Sequence, residues 1–262
     1  MKNLFSKLSV VLVVCMTAMF NFHCSHKEVS LEDTSLTFLV DVTDTTLFDQ
    51  VNSDFHQNLP VFFERTGLDN IQAGQKLTLK MSPITCTGVF SMKQASIALP
   101  VRDMSKREEA ILRNPEPLIA LIRSELDDYA KMAADDQQSS PILDVMLKSF
   151  REMSPTSSRE ILVIFTDGYE FSNYLNMYKA KTIPTSEMDV ARILEKTDQI
   201  LLQDARSVVK NVNPAVVFVL KETSKANSFK RGDLKMYYTE LLRQIGVTEV
   251  VFIDNLTNTP NL

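Results

Sequence analysis

Apolar positions along this chain follow two periods, and the alternation between them sets out the elements. Residues 35–43, Ser-Leu-Thr-Phe-Leu-Val-Asp-Val-Thr, are a short apolar run rich in β-branched types, as expected of a buried strand. A helical pattern follows over 47–65, with Gly67 in the position of a helix stop. Two alternating segments, 76–85 and 90–99, flank Thr87-Gly88 and predict a hairpin with one antiparallel strand. Between 105 and 153 the period is helical in three pieces. Ser105 and Glu108 form a capping box, Pro115 and Pro117 interrupt, and an amphipathic stretch covers 118–132. Ser140 then stands as an N-cap before Pro141 for a helix running to Met153.

The run 159–165 is the clearest buried strand and ends abruptly in Thr166-Asp167-Gly168. Residues 169–185 read as an irregular insertion. A long helix is expected over 186–210, a strand over 215–220, a helix over 233–245 and a last strand over 247–253. Such alternation demands right-handed crossovers and a mostly parallel sheet with helices on both faces. The expected fold is therefore a doubly wound α/β domain.

Composition narrows the function classes. With 262 residues, 44% of them hydrophobic, the chain can bury one large core. Its net charge of −5 gives no basic footprint, so nucleic acid is not an expected partner. The basic group Lys225, Lys230, Arg231 and Lys235 reads as solvated surface.

Lys2 and Lys7 precede an apolar run over 8–22, which reads as an export signal rather than a spanning helix. Cys24 ends that segment, where a bacterial lipoprotein signal would be cut and acylated. Asn21, Phe22 and His23 stand where such boxes usually carry aliphatic and small residues, so a soluble secreted form and an uncleaved anchor remain alternatives. The expected organisation is a signal at 1–24, a tether at 25–34, one domain at 35–254 and a tail at 255–262. The expected place is the bacterial envelope, membrane-anchored through lipid on Cys24 or periplasmic. Cys86 alone belongs to the body and is expected to be buried.

Ligands of open α/β sheets gather outside the carboxyl ends of the strands, where the strand order reverses. Asp41, Thr43 and Thr45 follow the first strand, Ser140 precedes a central helix, and Asp167 follows the 159–165 strand. Each has a plain structural reading: Asp and Thr after a strand cap helices, Ser before Pro is an N-cap, and Thr-Asp-Gly is a turn.

Their conjunction resembles the von Willebrand factor A family, whose metal ion-dependent adhesion site uses Asp-x-Ser-x-Ser, a hydroxyl in a second loop and an Asp after the fourth strand. Here threonine replaces both serines of the first loop. Ser-Pro-Ile-Leu-Asp-Val-Met at 140–146 is similar to the family's Thr-Pro-Leu-Tyr-Asp-Ala-Leu, and Ile-Leu-Val-Ile-Phe-Thr-Asp-Gly at 161–168 to its strand-four signature. The resemblance spans about 35–254. It implies a Rossmann-like, six-stranded, mostly parallel sheet with one antiparallel edge strand. It also implies Asp41, Thr43, Thr45, Ser140 and Asp167 as ligands of Mg²⁺, with Mn²⁺ acceptable and Ca²⁺ less suited. The implied partner is a protein presenting an Asp or Glu carboxylate to the ion. The alternative is a scaffold subunit of an envelope assembly, using the same fold without a functional metal site.

Other chemistry finds no support. Asp41 and Asp44 lack the second aspartate of a haloacid dehalogenase-like phosphatase, because Thr43 occupies its place. There is no phosphate-cradling glycine loop, and His23, His26 and His56 have no metal spacing. With no positioned base or nucleophile, the chain is expected not to be an enzyme.

Overall fold

The computed structural model describes residues 33–68, 75–86, 90–98, 116–133, 139–155, 159–223 and 230–260. The signal, Cys24, most of the tether, the Ser105–Glu108 capping box and the Thr87-Gly88 turn lie outside them. Among the described residues, no helix is long and apolar enough to cross a membrane.

In chain order the elements are β1 (Thr34–Asp41), α1 (Thr45–Arg65), β2 (Lys76–Ile84), β3 (Lys93–Ala98), α2 (Glu116–Ala133), α3 (Ile142–Arg151), β4 (Arg159–Thr166), α4 (Glu187–Leu194), α5 (Gln199–Val212), β5 (Ala215–Leu220), α6 (Arg231–Ile245) and β6 (Glu249–Ile253). The six strands lie in the order β3-β2-β1-β4-β5-β6. All pair in parallel except β3, which runs antiparallel to β2 along one edge, with Lys76 opposite Ala98 and Met81 opposite Lys93. The expected sheet is therefore present, its order reversing between β1 and β4.

Strand alternation sends side chains into two cores, one on each face. Leu36, Phe38 and Val40 of β1, Ile161, Val163 and Phe165 of β4, and Val217 and Val219 of β5 pack under α1 and α2. There the Phe38 ring meets Phe55 edge-on at 5.0 Å, and Phe55 lies 4.7 Å from Phe165. Leu39, Leu162, Ile164, Val216 and Phe218 face the other way, into a core closed by α3, α4, α5 and α6. Burial on both faces is what makes β1, β4 and β5 read as continuous apolar runs.

Four local expectations need correction. The helix expected over 186–210 is two: α4 begins at the Ser186 cap, the chain breaks after Leu194, and Asp198 restarts it by accepting the N–H groups of Ile200 and Leu201 at 2.9 and 3.1 Å. Cys86 is exposed rather than buried, because β2 ends at Ile84, two residues before it, and the pleat that would bury it does not reach it. Arg231 is not simply solvated: it pairs with Asp254 and Glu222 and donates to the Leu220 carbonyl at 3.0 Å. The segment read as a tail packs down, with Leu256 fully buried and its N–H within 3.2 Å of Asp54 Oδ1.

Candidate functional site

The strand order reverses between β1 and β4, the place where open α/β sheets form their ligand crevice, and the polar residues singled out in the sequence lie at the carboxyl ends of those strands. Asp41 is the last residue of β1 and has no exposed surface. Its Oδ1 accepts the Thr43 N–H at 3.1 Å and the Thr43 hydroxyl at 2.6 Å. Its Oδ2 accepts the Ser140 hydroxyl at 2.7 Å and the Thr166 hydroxyl at 2.9 Å. Three loops distant in sequence thus meet on one carboxylate. The capping role open to Asp41 and Thr43 falls instead to Asp44, whose Oδ1 accepts the Leu47 N–H at 3.1 Å.

Ser140 likewise is not the cap of α3: the helix start has no side-chain cap from its preceding residue, and the Ser140 hydroxyl is turned to Asp41. The first turn is served from across the crevice, where Glu170 Oε2 accepts the Leu143 N–H at 2.9 Å. The Ser140 backbone pairs in both directions with Phe171, at 3.0 and 2.9 Å, so the segment after β4 fixes the loop that carries the hydroxyl.

Asp167 follows β4 and is nearly buried. Its Oδ1 accepts the Tyr169 N–H at 2.9 Å, and its Oδ2 accepts the hydroxyls of Tyr178 at 2.8 Å and Thr223 at 3.2 Å. The tight turn depends on Gly168, which has φ +83°. A Cβ there would stand 3.2 Å from Leu220 Cδ2 and 3.3 Å from Leu234 Cδ1. Thr45 departs from the group: it is the exposed first residue of α1, and its hydroxyl donates to the Ala133 carbonyl at 2.9 Å.

Burial governs the electrostatics of this rim by penalising the charged form of both carboxyls. Burial raises the Asp41 carboxyl above the ordinary aspartate range against the pull of its hydroxyl donors. Burial, then the charge of Asp41, pushes Asp167 up to about 7. Among the described residues neither carboxylate forms an ion pair with a Lys or Arg, and no three His, Cys, Asp or Glu side chains form a cluster. The donor set is therefore two carboxylates ringed by neutral hydroxyls, a combination that suits a hard, oxygen-seeking cation.

Sequence reasoning missed Thr166, Tyr178, Thr223 and Glu170. Thr166 could have been found, since it adjoins Asp167 at the strand end. Tyr178 and Glu170 lie in the aperiodic insertion, and Thr223 in a polar loop, where no spacing marks them.

Fold and rim together define a doubly wound, Rossmann-like α/β domain with a buried cluster of two carboxyls and several hydroxyls at its topological switch point. No family model matches the chain, and no curated protein matches it. Solved structures similar to it include the human COPII-coat protein Sec24c, at TM-score 0.40 and 9% identity, over 85% of this chain and 29% of that one. A von Willebrand factor type A structure from Catenulispora acidiphila is similar at TM-score 0.26 and 9% identity, over 80% of this chain and 43% of that one. The chain spans less than half the length of either.

Proposed function

We propose that this chain is an exported protein-binding module of the von Willebrand factor A type, whose crevice holds a divalent cation and captures a carboxylate of a partner protein. The observation that carries the reading is the convergence of the Thr43, Ser140 and Thr166 hydroxyls on the buried Asp41 carboxylate, beside a second buried carboxylate, Asp167. Two like charges held close in a low dielectric repel unless a proton or a cation joins them. Thr43, Ser140 and Asp167 would hold the ion, Mg²⁺ or Mn²⁺ before Ca²⁺, and Asp41, whose acceptor positions are taken, would act through the hydroxyls it orients, with those neutral hydroxyls leaving the ion's charge largely unquenched. The bound ion supplies an electrophilic position that an Asp or Glu of the partner completes. In this reading the chain sits in the bacterial envelope, tethered by lipid on Cys24, and performs no catalysis.

One observation favours a second reading, a scaffold that uses the fold without a metal: the Thr45 hydroxyl is committed to the Ala133 carbonyl instead of the crevice. The two readings separate in one experiment. In the first, millimolar Mg²⁺ raises the melting temperature, because a ligand of the folded state stabilises it by mass action. Partner capture from envelope extract is then lost in EDTA and restored by Mg²⁺. Asp167→Asn folds, keeps the apolar run of β4, and loses both effects. Capture by Asp167→Asn with unchanged affinity and unchanged indifference to EDTA establishes the scaffold.

A further inference from the structure

Counting acceptor positions at the crevice separates its two carboxylates. An ionised carboxylate offers about four lone-pair positions, two on each oxygen. On Asp41 the hydroxyls of Thr43, Ser140 and Thr166 and the Thr43 N–H occupy both oxygens. Asp167 is occupied unevenly: among the described residues Oδ2 takes two donors, Tyr178 and Thr223, whereas Oδ1 takes only the Tyr169 N–H. The remaining position of Asp167 is therefore on Oδ1, and the group that closes Oδ2 at the shorter distance is the Tyr178 phenol, at 2.8 Å.

That phenol is held firmly. Its ring stacks on Tyr169 with centroids 5.0 Å apart and meets Phe171 edge-on at 6.3 Å. The preceding residue, Met177, is fully buried and donates its N–H to the Glu170 carbonyl at 2.9 Å. Tyr178 also belongs to the segment that fixes Ser140 through Phe171, so one stretch of chain sets the attitude of both sides of the crevice.

We infer that Tyr178 is a specificity-determining residue for the ion: by closing Oδ2 it restricts Asp167 to one oxygen and so favours Mg²⁺ over Ca²⁺. This rests on the proposed metal site and adds to it a reason for the choice of metal. Ca²⁺ seeks six to eight oxygens and gains from bidentate carboxylates, whereas Mg²⁺ takes single oxygens in an octahedron. Removing the phenolic hydroxyl leaves Oδ2 with Thr223 alone and opens two-oxygen chelation.

The test is calorimetric titration of the full-length chain and of Tyr178→Phe with MgCl₂ and, separately, CaCl₂. Wild type should bind Mg²⁺ more tightly, and in the variant the preference for Mg²⁺ over Ca²⁺ should fall about tenfold, the scale on which groups supporting a metal's ligands act. Thr223→Val, which frees the other position on Oδ2, should move the ratio in the same direction and decides the matter if Tyr178→Phe does not fold. A ratio unchanged in the folded variants, or a wild type that prefers Ca²⁺, overturns the inference while leaving a metal site standing. A wild type that binds neither ion overturns the metal site, and this inference with it.

Discussion

The carboxylate of Glu170 caps the first turn of α3 by accepting the N–H of Leu143 at 2.9 Å, and the serine placed to do so faces elsewhere. Helix starts leave N–H groups that need acceptors, and Ser before Pro is an ordinary supplier. Here the supplier comes from the segment after β4, and the Ser140 hydroxyl is released to Asp41. Capping and site assembly are thus divided between two residues on opposite sides of the crevice.

Glu170 should make the protein lose stability toward alkaline pH. Burial, only partly offset by the Leu143 N–H, pushes its carboxyl from 4.5 up to about 8, with the charges of Asp144 and Asp41 adding to the rise. Below about pH 4.5 folded and unfolded chains both hold the proton; between there and 8 only the folded chain keeps it. Stability attributable to this group therefore falls as pH rises through that window, by about 1.4 kcal/mol per unit. Glu170→Gln keeps an acceptor for Leu143 and has nothing to ionise. Thermal melts in EDTA should give the variant a higher melting temperature at pH 8 and a vanishing advantage near pH 4; an advantage that grows toward acid contradicts the assignment.

The division of labour between Glu170 and Ser140 is itself measurable. Ser140→Ala should leave amide exchange at Leu143 unchanged, whereas Glu170→Ala should accelerate it. Ser140→Ala should still cost about 0.5–1.5 kcal/mol, the range for an ordinary hydrogen bond. It should also weaken any Mg²⁺-induced stabilisation. Faster exchange at Leu143 in Ser140→Ala would restore the serine as cap.

A buried ion pair ties the far end of the chain to α1. Lys221 Nζ lies 2.6 Å from Asp54 Oδ2 and 2.9 Å from the Asp254 carbonyl, with both side chains largely out of solvent. Lys221→Met strands the Asp54 charge and should cost about 3–5 kcal/mol in denaturant melts. The double variant with Asp54→Asn should recover much of that loss, since no lone charge then stays buried. Equal losses in the single and double variants would mean that the Leu256 N–H contact, not the charge pair, dominates at Asp54.

Lipid on Cys24 is testable without any structure. Metabolic labelling with a fatty-acid analogue should mark the wild-type chain and leave Cys24→Ala unmarked. Absence of label from both proteins rejects the anchor and favours a soluble exported form.

What the sequence revealed follows from where the pattern is physically forced. β1, β4 and β5 are buried on both faces, so each had to be a continuous apolar run, and each is legible. The break inside 186–210 was hidden because Val190, Leu194, Leu201 and Ala205 keep pointing to one core on both sides of it. Its only mark is the cap signal at Asp198. Asp41, Thr43, Ser140 and Asp167 were legible because each sits at an element boundary on the expected side of the sheet. Tyr178 and Glu170 act from a stretch with no period, and their roles depend on where that stretch folds back, which spacing does not encode.

The hydrogen bond from Thr166 to Asp41 joins residues 125 positions apart, and that from Ser140 to Asp41 spans 99. A chain growing from its amino terminus carries Asp41 and Thr43 well before their partners are made. Parallel pairing of β1 with β4 is among the non-local contacts that form slowly. No early fragment, whether strand β1 with α1 or the β2–β3 hairpin, presents more than one side of the crevice. In the proposed reading an ion at this rim would be held only once the chain has been made as far as Thr223 and β1 has paired with β4, so its binding would report that pairing.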